Sequence, residues 1–142
     1  METTTKSQLA RLKKDAAKIP GKIAALEQAL KATEARMVAL KKAGIIYARE
    51  HWRVRGTSSG DAADEDTPAK GRYMILVYPM KHGERPNPTY IGCDPEKVKA
   101  AQEGIARAAS YDEADRERQA LERALRESEY AFSSLFRALD AY

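Results

Sequence analysis

Basic and aromatic side chains gather in the middle of the chain, on both sides of an acidic stretch at residues 56–70. Guanidinium and ammonium groups contact phosphates, and aromatic rings stack on unpaired bases, so this composition favours nucleic-acid binding. A basic β-ribbon would also suit a major groove. The predicted nucleic-acid-binding residues are Arg49, Arg53, Arg55, Arg72, Tyr78, Lys81, Arg85 and Tyr90.

The same residues have an alternative, structural use. Trp52 and the nearby tyrosines could form a small core, with the arginine head groups reaching solvent. Because strand residues alternate, Trp52 and Val54 share one side, whereas His51, Arg53 and Arg55 share the other. We therefore expect Trp52 in the core, and Arg53 and Arg55 turned toward a partner.

Residue types that carry catalysis are scarce. The chain has His51, His82 and one cysteine, Cys93, with no third group that would orient a Cys–His pair. The closely spaced ligands of a zinc site are missing, and so are the glycine motifs that bind phosphates. The sequence therefore predicts no enzyme, no metal site and no cofactor. The acidic residues of the central stretch, which lack the spacing of a calcium loop, are Asp61, Asp64, Glu65 and Asp66.

Two long helices are predicted to hold this middle region. Near the N-terminus, apolar residues recur at alternating spacings of three and four, which is typical of a coiled-coil seam. Pro20 lies inside this ladder, so we expect either a kinked continuous helix or two helices, the second beginning at Pro20. The ladder residues are Leu9, Leu12, Ala16, Ile19, Ile23, Leu26, Leu30, Thr33, Met37 and Leu40.

A second helical pattern fills the C-terminal third of the chain. Asp94 can cap its first amides, and Pro95 suits the first helical position. Gly104 and the polar run 112–118 are the places where we expect a bend or a break. The second ladder consists of Tyr111, Ala114, Arg118, Leu121, Leu125, Ser128, Phe132, Leu135, Leu139 and Tyr142.

Between the helices, three stretches indicate strands. Residues 51–55 alternate, residues 71–78 are rich in β-formers, and a shorter strand ends at residues 89–92. A turn is expected at 81–84, and the neighbouring prolines place the last strand at an edge of the sheet.

These elements predict an α+β fold, with two long coiled-coil helical arms flanking a small two- or three-stranded antiparallel β-sheet. We expect a single domain over residues 1–142. Its parts are an N-terminal helical arm (5–44), the sheet with a mobile acidic loop at 56–70 (45–93) and a C-terminal helical arm (94–142).

The charge is unevenly distributed along these 142 residues. Residues 1–55 contain 13 Lys and Arg against 5 Asp and Glu, whereas residues 93–142 contain 8 against 11. Such asymmetry suits either nucleic-acid contact or the pairing of a basic helix with an acidic one.

No apolar run is long enough to cross a membrane, and the N-terminus lacks the apolar core of a signal peptide. With one cysteine, the composition predicts a cytoplasmic protein without membrane contact.

A protein partner or a homodimer is also expected. Small antiparallel sheets are unstable alone, and the C-terminal turns are unusually aromatic for a free helix end. The predicted interface residues are Leu121, Leu125, Phe132, Leu135, Phe136, Leu139 and Tyr142.

The order of parts resembles small proteins of unknown function found on bacterial and archaeal mobile elements. The matching stretches run from Gly71-Arg72-Tyr73 through His82-Gly83, and from Thr89-Tyr90-Ile91-Gly92 into Cys93-Asp94-Pro95-Glu96-Lys97-Val98. Pro86-Asn87-Pro88 stands where such proteins carry Lys, Arg and Ser. The resemblance implies a plasmid, phage or transposon setting and no particular activity. Together with the basic sheet it predicts a non-catalytic nucleic-acid-binding accessory factor; the alternative is a protein-interaction module, such as a complex subunit, adaptor or inhibitor, without nucleic-acid contact.

Overall fold

Helices and strands follow the predicted order. The computed structural model describes residues 2–54 and 71–141. Its elements are helix α1 (Glu2–Ala43), strands β1 (Arg49–Val54), β2 (Arg72–Val77) and β3 (Thr89–Gly92), and helix α2 (Pro95–Asp140). Two long helices flanking a three-stranded antiparallel sheet confirm the α+β class. The predicted loop at 56–70 with its acidic group, Arg55 and Tyr142 lie outside the described residues.

Helix α1 is continuous through Pro20. Of the two predicted forms, the structure therefore has the uninterrupted one, in agreement with a ladder that keeps its phase on both sides of the proline. The helix ends at Ala43, and the next residue, Gly44, has a positive φ of 106°, which suits a residue without a side chain. The Gly44 amide donates to the Leu40 carbonyl at 3.2 Å, and Arg107 Nε donates to the Gly44 carbonyl at 2.6 Å.

Helix α2 begins as predicted. The Asp94 carboxylate accepts a hydrogen bond of 3.1 Å from the Glu96 amide, and the Asp94 carbonyl accepts one of 3.0 Å from the Val98 amide. Asp94 is therefore the N-cap, and Pro95 occupies the first helical position.

The expectation of a break in α2 is wrong, because the helix runs unbroken from Pro95 to Asp140. Gly104 serves close packing instead. A Cβ atom at this position would lie 2.5 Å from Ile46 Cδ1, and the Ile46 amide donates to the Gly104 carbonyl at 3.1 Å. In the polar run, Arg118 forms ion pairs with Asp115 at 2.6 Å and Glu122 at 2.7 Å, and pairs at these spacings support a helix. Hydrogen bonds to Asp115 and then Glu122 raise the pKa of Arg118 above its ordinary value.

The sheet has the order β1-β2-β3, so β2 is central and β3 is an edge strand, as the prolines predicted. In β1, Arg53 pairs with Tyr73 and His51 pairs with Ile75. In β3, Tyr90 pairs with Ile75, and the register shifts between Met74 and Ile75.

The predicted turn between β2 and β3 is confirmed. The Lys81 amide donates to the Glu84 carbonyl at 2.8 Å, and the Glu84 amide donates back at 3.1 Å. Both central residues, His82 and Gly83, have positive φ, at 54° and 79°. This is the geometry of a tight two-residue hairpin turn.

The chain folds as two compact units. The sheet unit comprises Val38–Glu113, and the helix-pair unit comprises Met1–Met37 with Ala114–Tyr142. In the sheet unit, Met74, Leu76 and Ala101 are the buried centre of the core. The partly buried residues packed against this centre are Ile46, Ala48, Trp52, Tyr78, Ile91, Val98 and Ile105.

In the helix-pair unit, α1 and α2 run antiparallel. Arg36 Nη1 lies 3.8 Å from Glu117 Oε2, while Ile19, earlier in α1, and Phe132, later in α2, line one groove. Thr33 is buried, and its hydroxyl donates to the Ala29 carbonyl at 2.8 Å. Residues of both ladders thus line one groove of the pair, whereas coiled-coil packing stays a prediction.

Candidate nucleic-acid interface

The sheet has two chemically different faces. Residues paired across antiparallel strands point to the same face, and successive residues alternate. Trp52, Met74, Leu76 and Tyr78 therefore share one face, which packs on Ala101 and its neighbours in α2. We call this the core face.

The opposite face carries arginine, histidine and tyrosine. Its residues are Arg49, His51, Arg53, Tyr73, Ile75, Val77 and Tyr90, and we call it the Arg–Tyr face. The Tyr73 and Tyr90 rings lie 5.4 Å apart between centroids and are tilted by 43°. Tyr90 is 61% exposed, whereas Ile75, between His51 and Tyr90 in the register, is buried.

Arg53 is the most unusual group on the Arg–Tyr face. Its Nε atom is buried, and no acceptor for it exists among residues 2–54 and 71–141. A buried donor without a partner costs about 1–3 kcal/mol, and more when the group is charged. Since Arg53 pairs with Tyr73 in the register, this donor lies beside the tyrosine pair. Because Arg53 as a residue is only half-buried, an anionic oxygen approaching from solvent would neutralise the guanidinium charge; it would reach the buried Nε itself only if the side chain moved.

The predicted binding residues Arg72 and Tyr78 lie on the core face instead. Arg72 Cζ is 4.9 Å from the centroid of the Trp52 ring, which is a cation–π contact. The Tyr78 and Thr89 hydroxyls share a hydrogen bond of 2.7 Å. Trp52 packs in the core, as expected from its alternation with Arg53.

Arg49 and Arg85 are brought together at one end of the sheet. Both line a cleft of about 620 Å³ between that end and α2, together with Tyr47 and Met80. The Tyr47 hydroxyl donates to the Asp112 carboxylate at 2.9 Å across this cleft. Arg49 thus connects the cleft to the Arg–Tyr face, while the exposed Lys81 belongs to the hairpin turn.

The structure therefore unites Arg49, Arg53 and Tyr90 on one face, adds Arg85 at its end, and places Arg72 and Tyr78 on the other. Tyr73 was not among the predicted binding residues, although it is one of the tyrosines near the predicted basic cluster. Alternation within 71–78 indicates that Tyr73 and Met74 point to different faces of the sheet. Only the register shows that Arg53 is the cross-strand neighbour of Tyr73.

The predicted interface residues belong to the helix-pair unit. Leu125, Phe132 and Leu135 line the groove between α1 and α2, and the Phe132 and Phe136 rings stack with centroids 6.0 Å apart. Leu121 is half-buried, whereas Phe136 and Leu139 are exposed.

Comparison of the chain with protein-family models, curated protein sequences and solved structures gives no significant match. Neither α1 nor α2 contains a stretch long and apolar enough to cross a membrane. Within residues 2–54 and 71–141, no three His, Cys, Asp or Glu side chains are grouped as metal ligands would be.

Proposed function

We propose that this protein binds single-stranded nucleic acid through the Arg–Tyr face, without catalysing a reaction on it. The observation that carries the proposal is the Arg53 guanidinium beside the Tyr73–Tyr90 pair. Its Nε is buried without an acceptor among residues 2–54 and 71–141, a property that Arg72 shares on the core face, where no tyrosine pair lies beside it. Aromatic rings standing on a sheet offer their faces to unpaired bases, which a duplex keeps stacked inside. Arg49, Arg53 and Arg85 would then contact the phosphates.

The proposed setting is that of an accessory factor of a plasmid, phage or other mobile element in the cytoplasm. This part rests on the resemblance of residues 71–98 alone.

Fluorescence anisotropy tests the binding proposal. Labelled single-stranded DNA, single-stranded RNA and duplex DNA are titrated with the protein at low and moderate salt. We expect the single strands to bind more tightly than the duplex, and their affinity to fall steeply with salt because counterions are released from the phosphates. Absence of binding at low salt would overturn the proposal.

Two matched pairs of variants test the site. Arg53→Glu should weaken binding by at least about tenfold, whereas Arg126→Glu, the same charge change on α2, should have a much smaller effect. Tyr90→Ala should weaken binding about 5- to 100-fold through lost stacking. Its control is Tyr130→Ala, because Tyr130 is 77% exposed and belongs to the helix-pair unit instead of the sheet unit. Equal losses in both members of a pair would refute the site.

A second function, protein–protein interaction through the helix-pair unit, has its own supporting observation. The apolar groove between α1 and α2 is lined by Ile19, Ile23, Leu26, Phe132 and Leu135, and Ile23 is half exposed. Burial of this surface against another protein would be favourable at about 25 cal/mol per Å². The two functions use different units and do not exclude each other.

A further inference from the structure

The helix-pair unit has almost no interior of its own. Among residues 2–37 and 114–141, only Thr33 and Ala114 are buried. Two helices packed side by side cover each seam residue from one side, and a bundle of four covers it from both. The apolar ladders of α1 and α2 therefore remain half open to solvent.

The open side of the pair is an apolar groove of about 490 Å³. Ile23 and Leu125 in its lining are 51% and 41% exposed. Lys22 on α1 and Glu129 on α2 also line the groove, and neither has an ion-pair partner among residues 2–54 and 71–141. An apolar floor that carries both a lysine and a glutamate, each without an ion-pair partner in the described part of the chain, can complement a second copy of itself.

We propose that a second copy of this chain covers the groove, with the two-fold axis running parallel to the helices. Rotation about such an axis leaves equivalent residues of the two copies at the same level along the bundle. It also places α1 of one copy against α2 of the other. Lys22 of each copy then lies opposite Glu129 of the other copy, and the two apolar floors face each other. The result is a bundle of four helices.

Charge favours this arrangement over one that pairs like helices. The α1 part, residues 2–37, contains 8 Lys and Arg against 4 Asp and Glu, whereas the α2 part, residues 114–141, contains 5 against 6. Contact between two α1 helices would oppose two cationic surfaces, and contact between α1 and α2 avoids this.

The available area also suffices. Residues 12–36 of α1 and 117–140 of α2 provide a strip about 36 Å long and about 20 Å wide, or roughly 700 Å² per copy. Stable specific interfaces bury about 800 Å² per partner. A second copy therefore finds close to a standard interface on this side of the pair.

The test combines mass measurement with charge reversal. Light scattering coupled to size exclusion should give the mass of a dimer for the full chain. Lys22→Glu and Glu129→Lys should each weaken the dimer by about tenfold or more, because each opposes like charges at two symmetric places. Lys14→Glu is the matched control, since Lys14 lies on the outer side of the ladder and should leave the mass unchanged.

Mixing the two single variants distinguishes pairing between copies from pairing within one chain. A heterodimer of Lys22→Glu with Glu129→Lys restores an opposite-charge pair at both places, so the mixture should regain the dimer mass. A monomer at every concentration would overturn the proposal. So would a dimer that neither single variant weakens, or a mixture that stays as weak as its components, because the copies would then pair by another surface.

Discussion

Gly104 offers a sharp test of how Ile46, in the segment between α1 and β1, packs on α2. A Cβ atom at this position would lie 2.5 Å from Ile46 Cδ1, 2.8 Å from Cγ1 and 3.3 Å from Cβ. The Ile46 amide is also held by the Gly104 carbonyl at 3.1 Å, so the isoleucine backbone cannot easily move away. Gly104→Ala must therefore displace the Ile46 side chain.

Two opposing effects set the size of the change. Alanine gains about 1 kcal/mol over glycine in a helix interior. Overpacking of a formed contact costs about 1–3 kcal/mol. We expect a net loss of about 1 kcal/mol in the free energy of unfolding for Gly104→Ala.

A double-mutant cycle removes the clash and reverses the sign. Ile46→Ala alone should lower the free energy of unfolding by about 2 kcal/mol, at the low end for such a change, because the Ile46 side chain packs against the core but is only partly buried. In that background Gly104→Ala should gain up to about 1 kcal/mol from helix propensity, because the Cδ1 and Cγ1 atoms are gone and only the retained Cβ, at 3.3 Å, is close. The coupling energy between the two positions is then up to about 2 kcal/mol.

The assay is urea unfolding followed by the fluorescence of Trp52. It is the single tryptophan of the chain and packs on the core, so it reports the sheet unit directly. Gly21→Ala, measured by circular dichroism, is the control for propensity, because no atom lies within 4 Å of a Cβ at Gly21. A stabilised Gly104→Ala protein, or additive effects in the cycle, would refute the close contact.

Three further changes test local features through thermal unfolding followed by circular dichroism. Gly83→Ala should destabilise the protein by about 1 kcal/mol because its φ of 79° strains any side chain, whereas Gly83→Asn should be tolerated better; equal losses would argue against the turn. Asp94→Ala should lose about 1 kcal/mol with the N-cap, and Asp94→Ser should recover most of it. Thr33→Val should gain up to about 1 kcal/mol, because the buried hydroxyl bonds only the Ala29 carbonyl within its own helix; a clear loss would indicate a further partner.

Local patterns predicted most of the fold. The 3,4 ladders indicated both helices, Asp94-Pro95 marked the start of the second, and His82-Gly83 marked the turn. In each case the physical cause lies within a few residues of the feature, so one stretch of sequence suffices to recognise it.

Features that depend on distant contacts were beyond such patterns. Gly104 indicated a break because glycine is a poor helix former, and nothing near it in sequence reveals that Ile46 occupies the space of its missing side chain. Likewise, the separation of Arg53 from Arg72 depends on the register of β1 and β2. Composition placed both arginines in one site, and the alternation of a paired sheet puts them on opposite faces.

That separation leads to a prediction with opposite outcomes for two arginines. Arg72 lies over the Trp52 ring at 4.9 Å on the core face, where a cation–π contact contributes about 0.5–1 kcal/mol. Arg72→Gln removes this contact and also removes a buried Nε that has no acceptor among residues 2–54 and 71–141, so the free energy of unfolding should fall by at most about that amount. The affinity for single-stranded nucleic acid should stay nearly unchanged.

Arg53→Gln should behave in the reverse way. It removes a buried Nε that has no acceptor in the described chain, so stability should stay the same or rise, while nucleic-acid affinity falls. Urea unfolding by Trp52 fluorescence and anisotropy titration, performed on both variants, measure the two effects independently. If both variants lost affinity to the same extent, the two faces would not differ in function, and the Arg–Tyr face would no longer account for binding. If Arg53→Gln lost stability with unchanged affinity, the guanidinium would serve the fold, because its value would then lie in contacts that the protein makes with itself.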